Sequence, residues 1–375
     1  MSGHAFIPVC EPLLAGREME YVREAVESGW ISSSGRFITG FEQKFAEFCR
    51  VRFATTTNTG TAALHLACAA AGIGPGDEVI MPSFTMIASA FAVCYCGAVP
   101  VFVDAERETW NIDTSRIEAK ITARTRVIMP VHIYGHPCDM DPILELAARH
   151  DLAVIEDAAE VHGAEYRGRR CGAMGDLGCF SFFANKIIAT GEGGMVVTDS
   201  EDLYNRCRYL KNLAFPLVGS RSYQHNEIGF NYRMSNVVAA LGLAQTEKGD
   251  SYADMRRNNA RLYRERLAGI GGVTVQQEKS WARNVYWMFG ILVEEEFGIT
   301  RDEVRMKLLD MGIDSRDFFL PMHWQRSLKN YGCDCTGDYP VAEELARKGL
   351  YLPSGSGLTE EQINYICDSL AALKR

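Results

Sequence analysis

Lys186 is the residue whose surroundings point most directly to chemistry. It interrupts the apolar run of residues 180–188, and a glycine-rich turn and a strand-like segment follow at residues 191–198. A charged amine in such a run is costly unless it is paired, neutral or covalently engaged. A desolvated amine in a cationic setting titrates low enough to attack a carbonyl group, as Schiff-base chemistry requires. A lysine that snorkels at a strand edge is the alternative for this run taken alone.

Two acids end another apolar run. Glu156 and Asp157 are followed by small residues and then by Glu160. A carboxylate at this place can pair with the protonated ring nitrogen of a heterocyclic cofactor, which makes that cofactor a better electron sink. An aspartate that caps a helix is the alternative if the segment is considered by itself.

Residues 57–64 (TNTGTAAL) predict an anion site. They place small polar residues and Gly60 directly ahead of an alanine-rich helix. Free backbone N–H groups and the helix dipole attract an anion at such a helix start, and the Thr61 hydroxyl adds a donor. An ordinary helix cap is the alternative, since threonine serves that purpose well.

The elements around these residues predict an α/β fold. Short apolar runs at residues 78–82, 99–104, 126–131 and 152–157 are typical of buried strands, and helical patterns lie between them. That alternation predicts a mostly parallel sheet with helices on both faces. Ligands bind outside the carboxyl ends of such strands, where residues 82–85, Asp104, His132, Asp157 and the segment before Lys186 are expected.

The pattern changes after about residue 250. A long charged helix is predicted at residues 252–268, a strand at 286–293, and helices at 301–311 and 359–373. A chain of 375 residues exceeds the size at which one hydrophobic core usually stops growing. We therefore expect a large cofactor-binding domain over residues 1–250 and a smaller α+β domain over residues 251–375.

Charge and hydropathy favour a cytoplasmic protein without a nucleic-acid or membrane partner. The formal net charge is −9, whereas binding to polyanions needs a basic surface. The N-terminal residues lack the pattern of a secretory signal, and no apolar run is long enough to span a bilayer.

The twelve cysteines are scattered, and several lie in apolar runs, which is typical of reduced core residues. Cys94 and Cys96, like Cys333 and Cys335, are separated by one residue rather than by the two to four residues of common zinc sites. We therefore expect no metal.

Five segments together resemble the DegT/DnrJ/EryC1/StrS family of sugar aminotransferases. They are residues 72–79, 130–135, 156–159, 180–186 and 229–234, and the resemblance extends from about residue 12 to the C-terminus. It implies an aspartate-aminotransferase-like fold of pyridoxal-phosphate fold type I. It also implies pyridoxal 5′-phosphate as cofactor, pyridoxamine phosphate as its intermediate form, and a homodimer with shared active sites.

The resemblance also implies roles for individual residues. Lys186 would form the Schiff base and carry the proton, and Asp157 would pair with the pyridine nitrogen. Glu160 would lie beside the phenolic oxygen of the cofactor, where many members have glutamine or histidine. The residues expected at the phosphate are Gly60, Thr61 and Ser181, with Asn231 reaching it from the neighbouring subunit.

Met86 departs from the family pattern. Members usually have an aromatic residue there, which stacks on the cofactor ring. A thioether can still cover that face, because sulfur–aromatic contacts contribute about 0.3–1.5 kcal/mol. We therefore expect Met86 to contact the cofactor ring, and we expect the protein to bind the cofactor less tightly than members with an aromatic residue do.

Residues 30–37, 138–144 and 181–186 suggest the substrates by resemblance. They imply a nucleotide-linked 4-keto-6-deoxy sugar as amino acceptor and L-glutamate as donor, in surface polysaccharide synthesis such as that of an O-antigen. Arg36 could meet a diphosphate. His132 and His323 could contact the sugar or a phosphate, although a structural role is slightly favoured for each.

Two other functions are compatible with the same scaffold. One is a cofactor-dependent sugar dehydratase, but such relatives carry histidine in place of the lysine that this chain keeps as Lys186. The other is a non-enzymatic regulatory module, for which no appended DNA-binding segment is visible. An aminotransferase with two half-reactions and ping-pong kinetics is the hypothesis that we carry forward.

Overall fold

A seven-stranded sheet forms the centre of the molecule. The computed structural model describes residues 5–218 and 223–375. The strands of this sheet stand in the order β1-β9-β8-β5-β4-β2-β3. Their bounds are β1 Phe53–Thr57, β2 Glu78–Pro82, β3 Val99–Val103, β4 Thr125–Ile128, β5 Ala153–Asp157, β8 Leu177–Ser181 and β9 Gly194–Thr198.

The strand pairings confirm the α/β prediction. Strands β3, β2, β4, β5 and β8 run parallel to one another, whereas β9 runs antiparallel to both β8 and β1. The parallel strands are buried on both faces, which explains why they appear in the sequence as continuous apolar runs. Their carboxyl ends therefore meet at one edge of the sheet.

Twelve α-helices are found in the described part of the chain. Those of the first 250 residues and the long helix after them are α1 Glu18–Glu27, α2 Arg36–Cys49, α3 Gly60–Ala70, α4 Ala88–Tyr95, α5 Met140–His150, α6 Glu201–Lys211, α7 Asn236–Thr246 and α8 Gly249–Leu267. The later helices are α9 Arg301–Asp310, α10 Arg326–Tyr331, α11 Pro340–Lys348 and α12 Glu360–Leu373.

Two smaller sheets accompany the central one. A four-stranded sheet has the order β10-β12-β14-β13, with β10 Val273–Val275, β12 Phe289–Val293, β13 Arg316–Asp317 and β14 Gly349–Leu352. A three-stranded sheet joins β11 Ala282–Arg283 to β6 Glu165–Tyr166 and β7 Arg169–Arg170. The second of these links residues from both sides of position 250.

The hydrophobic core is also shared across position 250. One cluster packs helix α12 and strands β12 and β14 together. The larger cluster surrounds the central sheet but includes Trp287, Phe318 and Leu345. The division into residues 1–250 and 251–375 stays a prediction, since these side chains join the two parts.

Two further findings concern the described residues alone. Within residues 5–218 and 223–375, no helix is long and apolar enough to cross a membrane. The same part of the chain contains no group of three or more His, Cys, Asp or Glu side chains that could hold a metal ion.

Candidate active site

Lys186 lies in the connection between β8 and β9. Backbone hydrogen bonds shape this loop: Phe182 N donates to Gly193 O at 2.9 Å, and Ala184 N donates to Gly191 O at 3.1 Å. The chain therefore doubles back on itself around the lysine. Lys186 N in turn donates to Phe183 O at 2.8 Å, which fixes the backbone from which the amine projects.

The amine of Lys186 lies against an indole ring. Its side chain is half-buried, and Nζ lies 3.5 Å from the centre of the Trp287 ring. Burial lowers the pKa of the Lys186 amine, while the nearby carboxylates of Glu160 and Asp157 act against that shift. A lowered pKa increases the fraction of neutral amine, which is the nucleophilic form.

Asp157 ends strand β5 and lies close enough to Lys186 for the two charges to interact. Its Oδ2 accepts a hydrogen bond of 2.7 Å from Ser89 Oγ, and its Oδ1 accepts one of 3.1 Å from Ala159 N. Burial raises the pKa of Asp157, and the hydrogen bond from Ser89 opposes that rise. A protonated ring nitrogen beside this carboxylate would stabilise its ionised form further.

Glu160 is buried one turn after Asp157. Its Oε2 accepts a hydrogen bond of 2.7 Å from the backbone N–H of Tyr134. Burial raises the pKa of Glu160 to about 7, although Lys186 acts in the opposite direction. Tyr134 makes this contact from a left-handed backbone conformation with φ of 55°. Such conformations are uncommon for non-glycine residues and cluster at functional sites.

The start of helix α3 abuts the end of strand β8. Thr59 caps the helix by accepting a hydrogen bond of 3.0 Å from Ala62 N. A Cβ atom built on Gly60 would lie 2.6 Å from Ser181 Cβ, which is too close for any side chain. Thr61 follows in the first turn. Free N–H groups at this helix start, together with the Thr61 and Ser181 hydroxyls, fit a phosphate group.

His132 lies at the sheet edge but faces inward. It is fully buried, its Nε2 is 3.0 Å from Glu156 Oε2, and its Nδ1 accepts a hydrogen bond of 2.9 Å from Cys138 N. Glu156 also accepts hydrogen bonds of 2.7 Å from the backbone of the 172–175 loop. Both ring nitrogens of His132 are engaged within the chain, which supports the structural role.

His323 is likewise held by its own chain. Its Nδ1 is 2.7 Å from Ser83 Oγ, its Nε2 is 3.3 Å from Glu343 Oε1, and its ring stacks on Tyr339 at 4.3 Å. Burial lowers the pKa of His323. Ser83 directly follows β2, so the histidine lies near the sheet edge, but both nitrogens already have partners.

Arg36 does not carry a free positive charge in this structure. Its guanidinium forms an ion pair with Glu24 and stacks over Phe37 at 4.1 Å. Both partners of the ion pair are largely exposed, so such a pair holds together only weakly. A diphosphate would have to displace Glu24 to reach this side chain.

Met86 and Asn231 are exposed on the single chain. Met86 is 47% exposed and sits just before helix α4, which carries Ser89. Asn231 accepts a hydrogen bond of 2.9 Å from Arg233 Nε and lies on the surface. Neither residue is covered by its own chain, unlike Asp157 and Glu160.

A cavity of about 600 Å³ opens near Asn231. It is lined by three cationic residues, one carboxylate, one amide, and hydroxyl and apolar residues: Arg208, Lys211, Arg233, Glu42, Asn212, Ser32, Ser33, Ser34, Thr55, Thr56, Ile38, Phe215, Pro216, Leu217 and Met234. Lys211 Nζ donates to Thr56 O at 2.7 Å, and Arg233 is held by Asn212 and Asn231. Three cations against one carboxylate make this cavity suitable for an anion.

Three residues of the site are absent from the sequence predictions. Ser89 follows β2 by a few residues, so extending the search past Thr85 would have found it. Tyr134 contributes only its backbone N–H group, which nearly every residue type has, so the sequence gives no sign of it. Trp287 is about a hundred positions from Lys186 in the sequence, and no local pattern joins the two.

The sequence of nearly the whole chain matches one known protein family. The model of the DegT/DnrJ/EryC1/StrS aminotransferase family matches residues 12–371. The chain belongs to the DegT/DnrJ/EryC1/StrS aminotransferase family. By this membership it is a pyridoxal phosphate-dependent aminotransferase, as the resemblance predicted.

Curated members of the family are similar over nearly the whole chain. GDP-perosamine synthase of Caulobacter vibrioides is 48% identical over 371 residues, which cover 99% of each chain. GDP-perosamine synthase of Escherichia coli O157:H7 is 47% identical over 97% of this chain and 98% of its own. The chain therefore aligns with these relatives over nearly its whole length and theirs, and not over a fragment alone.

Solved structures of the family show the same fold. S. venezuelae DesV in complex with a ketimine intermediate superposes with a TM-score of 0.92 at 36% identity, over 99% of this chain and 100% of that one. The PLP form of the putative sugar aminotransferase Spr1654 from Streptococcus pneumoniae has a TM-score of 0.91 at 26% identity, over 98% of both chains.

Proposed function

We propose that this chain transfers an amino group from L-glutamate to a GDP-linked 4-keto-6-deoxy sugar and so produces a perosamine-type nucleotide in polysaccharide synthesis. The observation that carries the proposal is the convergence of the Lys186 amine with the Asp157 and Glu160 carboxylates at one edge of the sheet. The choice of sugar is supported by relatives named GDP-perosamine synthase, 40–48% identical to this chain.

Each residue of the pocket has a distinct task in this proposal. Pyridoxal phosphate, when bound, supplies the conjugated ring that accepts electrons from the substrate carbon. Lys186 would hold the cofactor and carry, at its Nζ atom, the proton that leaves the α-carbon of the amino donor. Asp157, oriented by Ser89, would hold a positive ring nitrogen, and Glu160 would lie beside the ring oxygen.

The phosphate of the cofactor would be held by the start of helix α3. Gly60 brings the helix against β8 without a side chain, and Thr61 and Ser181 add hydroxyl donors. Met86 would cover the ring from the N-terminal end of α4. A site of this kind binds an anion through backbone groups, which keep their orientation whatever the pH.

The active unit in this proposal is a homodimer with shared sites. Support comes from the surface position of Asn231, the residue expected at the partner's cofactor phosphate. Further support comes from exposed apolar side chains, which a partner subunit would bury. They include Trp30, Tyr95 and Ile228. The cationic cavity beside Asn231 could then receive the diphosphate of the sugar nucleotide.

We also place the enzyme in the cytoplasm. All twelve cysteines of the described chain are free thiols, which suits a reducing compartment. In this proposal the enzyme meets its nucleotide sugar and glutamate in that compartment.

The test is a Lys186→Ala variant assayed with L-glutamate and a panel of keto-sugar nucleotides. The wild-type protein should produce 2-oxoglutarate and an amino sugar in equal amounts, with the GDP-linked 4-keto-6-deoxy sugar as the best acceptor. The variant should lose turnover by at least about 10³-fold, because it lacks the amine that forms the Schiff base and carries the proton. Lys44→Ala, on the exposed surface of α2, serves as the control. Equal turnover in Lys186→Ala would refute the proposal.

A further inference from the structure

Trp287 lies against the amine of Lys186. The Nζ atom is 3.5 Å from the centre of the indole ring, and Trp287 is only 3% exposed. The indole Nε1 donates a hydrogen bond of 2.8 Å to the backbone oxygen of Asn185, the residue before the lysine. The indole therefore contacts the amine with its ring and the lysine loop with its N–H group.

A ring of hydrogen bonds among four residues holds this tryptophan in place. Arg256 on helix α8 donates to Trp287 O at 2.6 Å and to Cys10 Sγ at 3.3 Å. Cys10 Sγ in turn donates to Asn185 O at 3.3 Å, where the indole also binds. Four separate parts of the chain meet here, so the indole cannot turn away without breaking several contacts.

The backbone before Trp287 is pressed against the turn that carries Tyr134. A Cβ atom on Gly135 would lie 2.5 Å from Tyr286 N and 2.6 Å from Trp287 N. Tyr286 itself has a φ of 46°, a left-handed conformation. Since Tyr134 N binds Glu160, the same contact positions both the indole and the carboxylate.

The charges that face Nζ are mixed. Glu160 and Asp157 favour the ammonium form, as would an ionised Cys10, whereas the buried guanidinium of Arg256 disfavours it. The face of an indole attracts a cation through its quadrupole and has little effect on a neutral amine. The ring therefore acts on one protonation state of the lysine.

We propose that Trp287 is a positioning residue for proton transfer, whose ring face receives the Lys186 ammonium formed when Nζ takes the α-proton of the amino donor. In that step the donor C–H bond breaks, an N–H bond forms on Nζ, and the electron pair passes to the cofactor ring. Nζ would then give this proton to the cofactor carbon that is bonded to the amino nitrogen, which breaks the new N–H bond and leaves Lys186 as the neutral amine. This inference rests on the proposed aminotransferase function.

The first test compares Trp287→Leu with Trp287→Phe in the glutamate half-reaction. Loss of the ring in the leucine variant should lower kcat by about 3- to 30-fold, the range expected for a lost cation–π contact. KM for glutamate should stay within about twofold of the wild-type value, because the indole contacts the lysine rather than the donor. The phenylalanine variant keeps an aromatic face and should retain most of kcat.

An isotope measurement separates proton transfer from binding. With α-deuterated glutamate, the deuterium effect on kcat should rise in Trp287→Leu, because the proton-transfer step then limits the rate more strongly. A variant that merely packs poorly would lose cofactor or unfold at lower temperature without changing this effect.

A second measurement needs no cofactor. Competitive acetylation of the cofactor-free protein, followed by peptide mass spectrometry across pH, gives the pKa of the Lys186 amine. That pKa should fall in Trp287→Leu relative to the wild type and change less in Trp287→Phe. The matched control is Trp281→Leu, because Trp281 is a half-buried indole that packs on Tyr166 and His136.

The outcomes distinguish this inference from the proposed function. A Trp287→Leu variant with wild-type kcat, isotope effect and Lys186 pKa overturns the inference while leaving the aminotransferase proposal intact. Equal losses of folding stability in the leucine and phenylalanine variants, with the pKa unchanged, also overturn it. If Lys186→Ala retains turnover, the underlying proposal fails instead.

Discussion

The hydroxyl of Ser89 donates a hydrogen bond of 2.7 Å to the carboxylate of Asp157. Ser89 lies in the first turn of α4, and Asp157 ends β5, so the bond joins two elements that meet at the carboxyl edge of the sheet. Ser89 is fully buried, and its hydroxyl also lies 3.4 Å from the Thr85 hydroxyl. The bond orients the carboxylate that is proposed to face the cofactor nitrogen.

Replacement of Ser89 by alanine should weaken cofactor binding. A hydrogen bond to a charged group contributes about 1.5–3 kcal/mol, so we expect the Kd for pyridoxal phosphate to rise by about 10- to 100-fold. Equilibrium titration of the cofactor-free protein measures this directly. Ser28→Ala is the control, because Ser28 bonds to Ala25 O at the end of α1. An unchanged Kd in Ser89→Ala would show that the bond does not orient Asp157 for the cofactor.

Gly60→Ala should damage both stability and cofactor binding. The new Cβ would lie 2.6 Å from Ser181 Cβ, so the helix start or the strand end has to move. Overpacking of this kind typically costs about 1–3 kcal/mol. Thermal unfolding of the cofactor-free protein and phosphate titration test the two effects.

Gly74→Ala provides the matched control for Gly60→Ala. A Cβ atom at Gly74 meets nothing within 4 Å, and its backbone is not left-handed. This variant should unfold and bind phosphate as the wild type does. If Gly60→Ala behaves like Gly74→Ala, the start of α3 is not a tightly fitted anion site.

The central sheet could be predicted because its strands have a simple signature. Strand β2 was predicted with its observed bounds, and β3 and β5 within one residue, since strands buried on both faces are continuous apolar runs. The direction of β9 could not be predicted in this way. Its sequence is equally apolar, but it runs antiparallel to β8, and apolar composition says nothing about direction.

Sequence patterns single out candidate site residues whose chemistry depends on residue type, and they miss residues that act through the backbone or through distant packing. The roles of the candidates stay predictions. Lys186, Asp157 and Glu160 have side chains whose charge is conspicuous in an apolar context. Trp287 is one aromatic residue among several in its segment, and only the three-dimensional packing reveals that it meets the lysine. For His132 the sequence slightly favoured a structural role over a substrate contact, and its buried contact with Glu156 supports that role.

The raised pKa of Glu160 should make the cofactor-free protein less stable as pH rises. Burial raises its pKa from the ordinary 4.5 of a glutamate to about 7 in the folded chain. Between these values the folded chain binds more protons than the unfolded chain, so the free energy of unfolding falls as pH increases through this window. Above about pH 7 the destabilisation is fully present.

Glu160→Gln should remove this part of the pH dependence. Urea unfolding of the cofactor-free protein at pH 5 and pH 8, at one protein concentration, measures it. Relative to the wild type, the variant should gain stability at pH 8 and little at pH 5. Glu145→Gln changes an exposed carboxyl on α5 and serves as control. A pH slope equal to that of the wild type in Glu160→Gln would mean that burial does not hold the proton on this residue.

Mixing two inactive variants should restore activity if Asn231 serves the partner's site. One variant is Lys186→Ala and the other is Asn231→Ala. A mixed dimer combines the intact Lys186 of the second with the intact Asn231 of the first, which makes one complete site. Because random exchange yields about half mixed dimers, each with one complete site of two, we expect about a quarter of wild-type activity.

The two variants must first be shown to be inactive or severely impaired when assayed separately, with both still dimeric by size. Subunits are then exchanged under mild denaturant and reassembled, and turnover is compared with that of wild-type protein treated identically. If Asn231 acted within its own subunit, every site in the mixture would lack either the amine or the amide. No recovery would appear in that case, and the proposal of a shared site would be wrong.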